Sequence, residues 1–358
     1  MSENKPLNHT HLVVRPVQLN DLDDVLSLAR LAGQGMTSLP ADRTALAERI
    51  ERSVAGFRRA RQHEDDFFLL VMEDQNKQKV VGTAAMFAHT AASQAFYAYR
   101  LMTVIHYSHS LDKRVRCQLL HLSNDYSGCS EVGALFIDPD YRGNGHWLAR
   151  SRYLLMGLYP HRFAESVIAE LRGWIDEQGN SPFWDAIGAH FFEMDYRKAD
   201  ELCALGSNQF ITELMPRHPI YTRLLPDTAI EVIGKPADAG RRAKQLLEQE
   251  GFRYEDVVDI FDAGPLMRAE IAELQTVRGI RRVERAIKDS PYHHPEDIPL
   301  MLGNPDWHNF RVIHAAAPMH HGHVVLTPQQ NQLLQLADDP SLTVALVSDA
   351  QTPNPQML

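Results

Sequence analysis

The chain has 358 residues, 44% of them hydrophobic and 23% charged, and a formal net charge of −10. That length suits two domains or one elaborated domain with a large core, and the acidic balance argues against nucleic acid as a partner. Cys117, Cys129 and Cys203 are an odd number without metal-like spacing and read as reduced thiols of a cytoplasmic protein.

Residues 1–10 are polar and read as a flexible N-terminus without a signal h-region, and no apolar run reaches membrane-spanning length, so neither export nor a membrane is expected. Leu12 to Val17 reads as a strand. Asn20-Asp21 follows as a helix cap, with Leu22, Val25, Leu26 and Ala29 on one helical face. After the loop Gly33 to Pro40 a second helix is predicted over about Arg43 to Arg61. Phe67 to Met72 and Lys79 to Phe87 form a predicted hairpin around Glu73 to Lys77. Tyr99 to His106 and Arg116 to Leu122 are further strands, the second running into the polar loop Ser123 to Gly128.

From Ser130 to Leu158 the sequence reads strand, loop, helix. Val132, Ala134 and Phe136 alternate with Gly133, Leu135 and Ile137, apolar on both faces as in a buried central strand, and Asp138-Pro139 stops it. Trp147, Leu148, Ser151, Leu154, Leu155 and Leu158 then follow at helical spacing, which puts Arg142-Gly143-Asn144-Gly145 at a helix N-terminus, where a pyrophosphate binds well. Gly143 and Gly145 alone fit a structural turn equally well; Arg142 and the preceding strand favour the anion loop. The segment resembles the coenzyme A-binding motif of the GNAT superfamily, Arg-x-x-Gly-x-Gly/Ala after the fourth strand, with Trp147 in place of the last small residue. For an anionic thioester, Arg142, Arg150 and Arg152 are near enough in sequence to form a positive patch.

Ser166 to Gly173 reads as a second buried strand. In the GNAT fold such a strand splays from the central one and leaves backbone groups for a pantetheine arm. Ser181 caps a helix with Pro182 at its first position. Ala243 to Glu250 reads as helix, Gly251-Phe252 as its end, and Val257 to Phe261 as strand, which is how the GNAT fold finishes. Beyond it come short strands over Asn309 to Ala315, His323 to Thr327 and Leu342 to Val347. The expected fold is therefore α/β (α+β): a GNAT-like acyltransferase domain over 11–270, a helical insertion about 190–235, and a small β-rich C-terminal subdomain over 271–358.

Thr37-Ser38-Leu39-Pro40, Leu122-Ser123-Asn124-Asp125, Gly143-Asn144-Gly145, Ser151-Arg152, Ser181-Pro182-Phe183-Trp184, Glu213-Leu214-Met215-Pro216, Pro219-Ile220-Tyr221 and Asp259-Ile260-Phe261-Asp262 with Gly264-Pro265 keep the order found in the arginine N-succinyltransferase family, which the chain resembles from about residue 12 to 265. The resemblance implies transfer of succinyl from succinyl-CoA, a substrate and not a resident cofactor, to the α-amine of L-arginine, by a homo- or hetero-oligomer. It implies succinyl-CoA contact at Leu135. The family's proton donor is a histidine shortly after the triplet that here is Val232-Ile233-Gly234; counted without gaps, that position is Ala237. A non-catalytic CoA-binding paralogue or partner subunit, and an altered acceptor such as ornithine, stand as alternatives.

The chemistry needs a neutral α-amine, a stabilised oxyanion and an exit for a proton. Leu135, Phe136 and Ile137 would lend backbone to pantetheine, and Arg142, Gly143, Asn144, Gly145 and His146 would hold pyrophosphate. Asn124, Asp125 and Glu131, with Asp259 and Asp262 as further carboxylates, are candidates for the acceptor. His218 is a substitute proton donor, with Tyr221 beside it in sequence. No metal is expected: His293-His294 and the histidines of 320–323 lack a second cluster at zinc-like spacing.

Overall fold

The computed structural model of the chain describes residues 11–33, 36, 38–92, 95–204, 209–289, 299–320, 323–336 and 344–348. Its first strand is β1 (Leu12–Pro16), followed by α1 (Leu22–Ala32), α2 (Arg43–Arg58), β2 (Phe67–Asp74), β3 (Lys79–Phe87), β4 (Ala98–Ser108), β5 (Lys113–Ser123) and β6 (Ser130–Ile137). Next come α3 (Gly145–Leu158), β7 (Ser166–Glu170), five short helices α4 (Pro182–Ala186), α5 (Gly188–Phe192), α6 (Tyr196–Ala204), α7 (Gln209–Leu214) and α8 (Asp227–Ile230), with β8 (Ile220–Tyr221) between the last two. The rest of the chain carries α9 (Arg241–Glu250), β9 (Arg253–Val258), β10 (Pro265–Glu270), α10 (Gln275–Arg278), β11 (Arg281–Val283), β12 (Arg285–Ile287), β13 (Pro299–Asn304), β14 (Arg311–Ala316), β15 (Met319–His320), β16 (His323–Leu326), α11 (Pro328–Leu333) and β17 (Val344–Ser348).

Among the described residues one sheet holds fourteen strands in the order β11-β17-β13-β14-β1-β2-β3-β6-β7-β10-β9-β4-β5-β8. Its middle strands are apolar on both faces because helices cover both. Val25, Leu26, Leu28 and Ala29 of α1 and Leu46 and Ile50 of α2 pack with Leu69 and Val71 on one face. Trp147, Leu148, Leu154 and Leu155 of α3 pack with Phe68, Leu70 and Val81 on the other. The insertion helices close over the β4–β9 end around Trp184, which stacks on Phe192 and Phe261. Ser181 Oγ accepts the Trp184 N–H at 3.2 Å, so the predicted cap is in place.

Three features differ from the sequence expectations. Asp21 does not cap α1; its carboxylate is drawn to Arg15, whose Nη1 and Nη2 donate to it at 2.8 and 2.9 Å. β10 was hidden in the sequence because its few apolar residues follow directly on the Gly264-Pro265 turn, yet it pairs with both β7 and β9. The C-terminal strands β11, β13, β14 and β17 extend the main sheet through β14 on β1, and only β12, β15 and β16 make a separate small sheet. Among the described residues no helix is long and apolar enough to cross a membrane. Cys117 and Cys129 are buried free thiols, and no group of three or more His, Cys, Asp or Glu residues there is arranged to hold a metal ion. Residues 293, 294 and 321 lie outside the described residues.

Candidate functional site

β6 and β7 run parallel, and their pairing covers only Ser130 with Val167 and Glu131 with Ile168. Beyond that point they part. The cause lies in β6: Ala134 has φ +47°, and its register with β3 slips between Thr83 and Ala85. Such a bulge turns backbone groups out of the ladder. Ser38, from the Thr37-to-Pro40 motif, accepts the freed Ala134 N–H at 2.9 Å, and Thr83 Oγ1 donates to the Ala134 carbonyl at 2.8 Å. Arg152, buried on α3, donates to the Gly133 carbonyl at 3.3 Å.

The gap opens into a cavity of about 830 Å³. One end of its wall is Leu135 of β6 with His146, Ala149, Arg150 and Tyr153 of α3; the other is Glu131, Glu170, Arg172, Asp259 and Asp262. Ala237 to Ala243 and the inner side of α9 form the remaining side.

At the α3 end, Gly143 has φ +100° and open space where a Cβ would stand. Asn144 Nδ2 donates to the Tyr141 carbonyl at 2.9 Å, so no side chain caps the first turn of α3. Arg142 is exposed. Arg142 to Gly145 lie outside the cavity wall, which His146 is the first residue of the loop to join. Trp147 does not crowd the loop: its indole is buried and stacked on His314 with ring centroids 3.6 Å apart. Phe136 packs toward the α1–α2 core and Ile137 toward the α3 core, while Leu135 both packs and lines the cavity.

The other end is assembled from segments far apart in sequence. Gly173 and Gly264 let them touch: a Cβ on Gly173 would stand 2.1 Å from the Asp262 carbonyl oxygen, and one on Gly264 would stand 2.0 Å from that of Leu171. The Ala237 N–H donates to the Arg172 carbonyl at 2.8 Å and the Gly234 N–H to that of Ala263 at 2.9 Å, which seats the 234–237 segment against the end of β7. Asp259 Oδ1 accepts the N–H groups of Phe261 and Asp262 at 2.7 and 2.9 Å. Asp262 accepts from Tyr196 Oη at 3.2 Å and faces Arg172 Nε at 3.7 Å.

Burial pushes the Glu131 carboxyl above its ordinary range, against the pull of Arg49. Burial within the cavity wall and then the neighbouring charges of Glu131 and Asp262 raise Glu170, whose side chain is open to the cavity space. Asp259 is raised by burial and by Asp262 and Glu170. Arg172 stays protonated: burial opposes its charge, but Asp200, Tyr196 and Asp262 hold it above the usual guanidinium value.

Of the residues singled out in the sequence, Leu135, His146, Glu131, Asp259, Asp262 and Ala237 share this cavity. Others do not. Asn124 and Asp125 are exposed in the turn after β5, with Asp125 paired to Arg100 at 3.1 Å, because that turn closes outside the β6–β7 gap. His218 is exposed on the approach to β8, which pairs with β5 at the far edge of the sheet. Tyr221 is there too. Glu170, Arg172 and Tyr153 escaped the sequence reading; the signal for the first two was a charged Glu-x-Arg directly after the apolar run of β7.

A parallel strand pair that parts at a bulge, with a glycine loop and helix N-terminus beside the gap, is the framework of a GNAT-like acyl-CoA N-acyltransferase, and this chain is an acyltransferase of that class. The model of the family described as arginine N-succinyltransferase beta subunit matches residues 12–276. Arginine N-succinyltransferases of Escherichia coli strain 55989 and of Citrobacter koseri are each 38% identical over 345 residues, which is 95% of this chain and 99% of the relative. The solved structure of the arginine/ornithine succinyltransferase subunit AI from Pseudomonas aeruginosa superposes with a TM-score of 0.83 at 30% identity, covering 94% of this chain and 98% of that one. The chain belongs to the arginine N-succinyltransferase family.

Proposed function

We propose that the chain transfers the succinyl group of succinyl-CoA to the α-amine of L-arginine, in arginine catabolism. The observation that carries this reading is a continuous cavity joining the β6–β7 gap to a group of carboxylates. Leu135, Phe136 and Ile137 lend backbone to the pantetheine arm, and Arg142 to His146 receive the pyrophosphate at the α3 N-terminus. A guanidinium, with a pKa above about 12, is a poor nucleophile but a good handle. Glu131 and Asp259 offer it carboxyl oxygens, and the incoming guanidinium charge favours their ionised forms, which pair with it two-pronged. The neutral α-amine attacks the thioester carbonyl carbon, a C–N bond forms, the C–S bond breaks, and CoA leaves as the thiolate.

The surplus proton on nitrogen needs an acceptor, and Ala237 has no titratable group. Glu170 takes that role, because its raised pKa makes it a competent base near neutral pH. The thiolate is reprotonated from solvent. The protein works as an oligomer, alone or with a homologous subunit, a reading supported by the subunit designation of the Pseudomonas aeruginosa relative.

Ala237 in the cavity wall favours a second reading, a CoA-binding subunit without turnover. Thiol release with succinyl-CoA or acetyl-CoA and with arginine or ornithine, beside calorimetric binding of each ester, separates the two. Arginine-dependent release from succinyl-CoA is the expected result; binding of the ester without release establishes the second reading, and faster release with ornithine reassigns the acceptor.

A further inference from the structure

A second cavity lies where β1, α2 and the start of β14 meet. It encloses about 370 Å³, and its wall includes Arg15, Gln18, Asn20, Arg58, His308 and Arg311. It shares no residue with the acyl-transfer cavity. Charge in it does not balance. β1 and β14 pair antiparallel with Val14 opposite Val312, and the next step of that register sets Arg15 beside Arg311. Like charges in such cross-strand positions repel.

Arg15 resolves the conflict for itself by taking both nearby carboxylates: it forks onto Asp21 at 2.8 and 2.9 Å, and its Nε donates to Glu73. Arg311 receives much less. Its Nη1 makes one long contact, 3.4 Å to the Leu333 carbonyl, and its buried Nε has no hydrogen-bond partner among the described residues. Only 9% of the residue is exposed. Burial and then Arg15 push its pKa down, and Glu73, already engaged by Arg15, offsets only part of this. Arg58 at the exposed end of α2 brings a third guanidinium to the same wall against two carboxylates. The groove runs on past Leu19 and Val54 to Glu51 and Arg59.

A buried cation is costly unless it is paired and hydrogen-bonded, and a guanidinium is shaped for a two-oxygen partner. We propose that this cavity is a binding site for a small oxyanion, a carboxylate or a phosphate, held by Arg311 and Arg58. His308 is fixed beside it by its 2.9 Å contact with the Phe57 carbonyl, and the amides of Gln18, Asn20 and Asn309 complete a polar wall. The space suits an ion of a few heavy atoms and is too small for a whole CoA ester. Because the wall draws on β1, α2 and β14, the bound ion ties the C-terminal strands to the N-terminal part of the sheet.

The test is thermal unfolding and titration calorimetry of the full chain, its acyl-transfer cavity saturated with succinyl-CoA, with inorganic phosphate and with succinate, against sodium chloride at matched ionic strength. The unfolding midpoint rises with phosphate or succinate and not with chloride, and the larger of the two shifts names the anion class. Arg311→Met abolishes the rise and, without added anion, melts at or above the wild-type midpoint, because an apolar chain replaces an unpaired buried charge. Thiol release from the acyl-CoA is unchanged in that variant. Arg58→Ala, at the exposed rim, weakens anion binding several-fold and leaves the anion-free midpoint where it was, so the site is tested even if Arg311→Met fails to fold. Wild-type protein that binds neither anion, or an Arg58→Ala variant that responds to them as wild type does, overturns the proposal.

Discussion

The two ends of the acyl-transfer cavity are built on opposite plans. At the α3 end one short stretch of chain supplies the loop, the helix terminus and the arginines, and much of what it offers is backbone. At the other end, charged side chains from β6, β7 and the β9–β10 loop converge, and two glycines in backbone contact hold the segments together. On the proposed function, an anion that every acyl-CoA carries is met by a local motif, whereas the group that distinguishes one amine acceptor from another is met by a long-range assembly. Recognition of the common part would then tolerate change in distant chain, and recognition of the particular part would not.

That contrast can be broken at either end. Glu170→Gln is expected to lower turnover by about a hundredfold or more, the usual weight of a general base, while leaving acyl-CoA affinity intact. Steady-state kinetics beside calorimetry decides; an unchanged turnover number reduces Glu170 to a wall residue. Gly264→Ala forces a Cβ onto the Leu171 carbonyl and is expected to cost about 1–3 kcal/mol of stability, read by denaturant unfolding, with weaker arginine binding as its companion. Arg142→Glu is expected to weaken CoA binding about tenfold, the scale of one charged hydrogen bond, with no effect on arginine affinity. Equal affinity for CoA in that variant removes the anion-loop reading.

The smallest effect concerns pH. Glu131 and Glu170 hold protons in the folded protein above the ordinary carboxylate value of about 4.3. Between that value and their raised values the unfolded chain has lost protons that the folded chain keeps, so stability falls as pH rises through the window and levels off above it. A base at Glu170 needs the ionised form, so turnover rises over the same window. Activity and stability therefore move in opposite directions, and Glu170→Gln should flatten the stability slope; a slope that is the same in the variant places its origin elsewhere.

The sequence was informative where structure is local. The alternation of β6, the Ser181-Pro182 cap and the helical spacing of α3 each depend on neighbours a few residues away, and each is read correctly from them. Glu131 could be placed at the gap because it begins a recognisable strand. Glu170 could not, because Asp262 and Glu131 arrive beside it only through the turn before β10 and the parallel pairing of β7. His218 and Asp125 show the converse: chemistry-bearing residue types near family motifs, but carried by the sheet order to surfaces outside the cavity. Trp147 stands where the motif has a small residue, and where its bulk goes depends on His314 of β14, a partner distant in sequence.

The pairing of β1 with β14 joins Val13 to Ile313. During synthesis β1 leaves the ribosome long before β14, and its β14 edge stays bare until that strand has emerged. Open strand edges invite pairing with other chains, and so distant a contact is slow to form. The last strands therefore act as a late seal on the nascent protein. A chain halted at residue 276, where the family match ends, would keep every segment of the acyl-transfer cavity and still present Val13 and Val14 as a sticky edge to its neighbours.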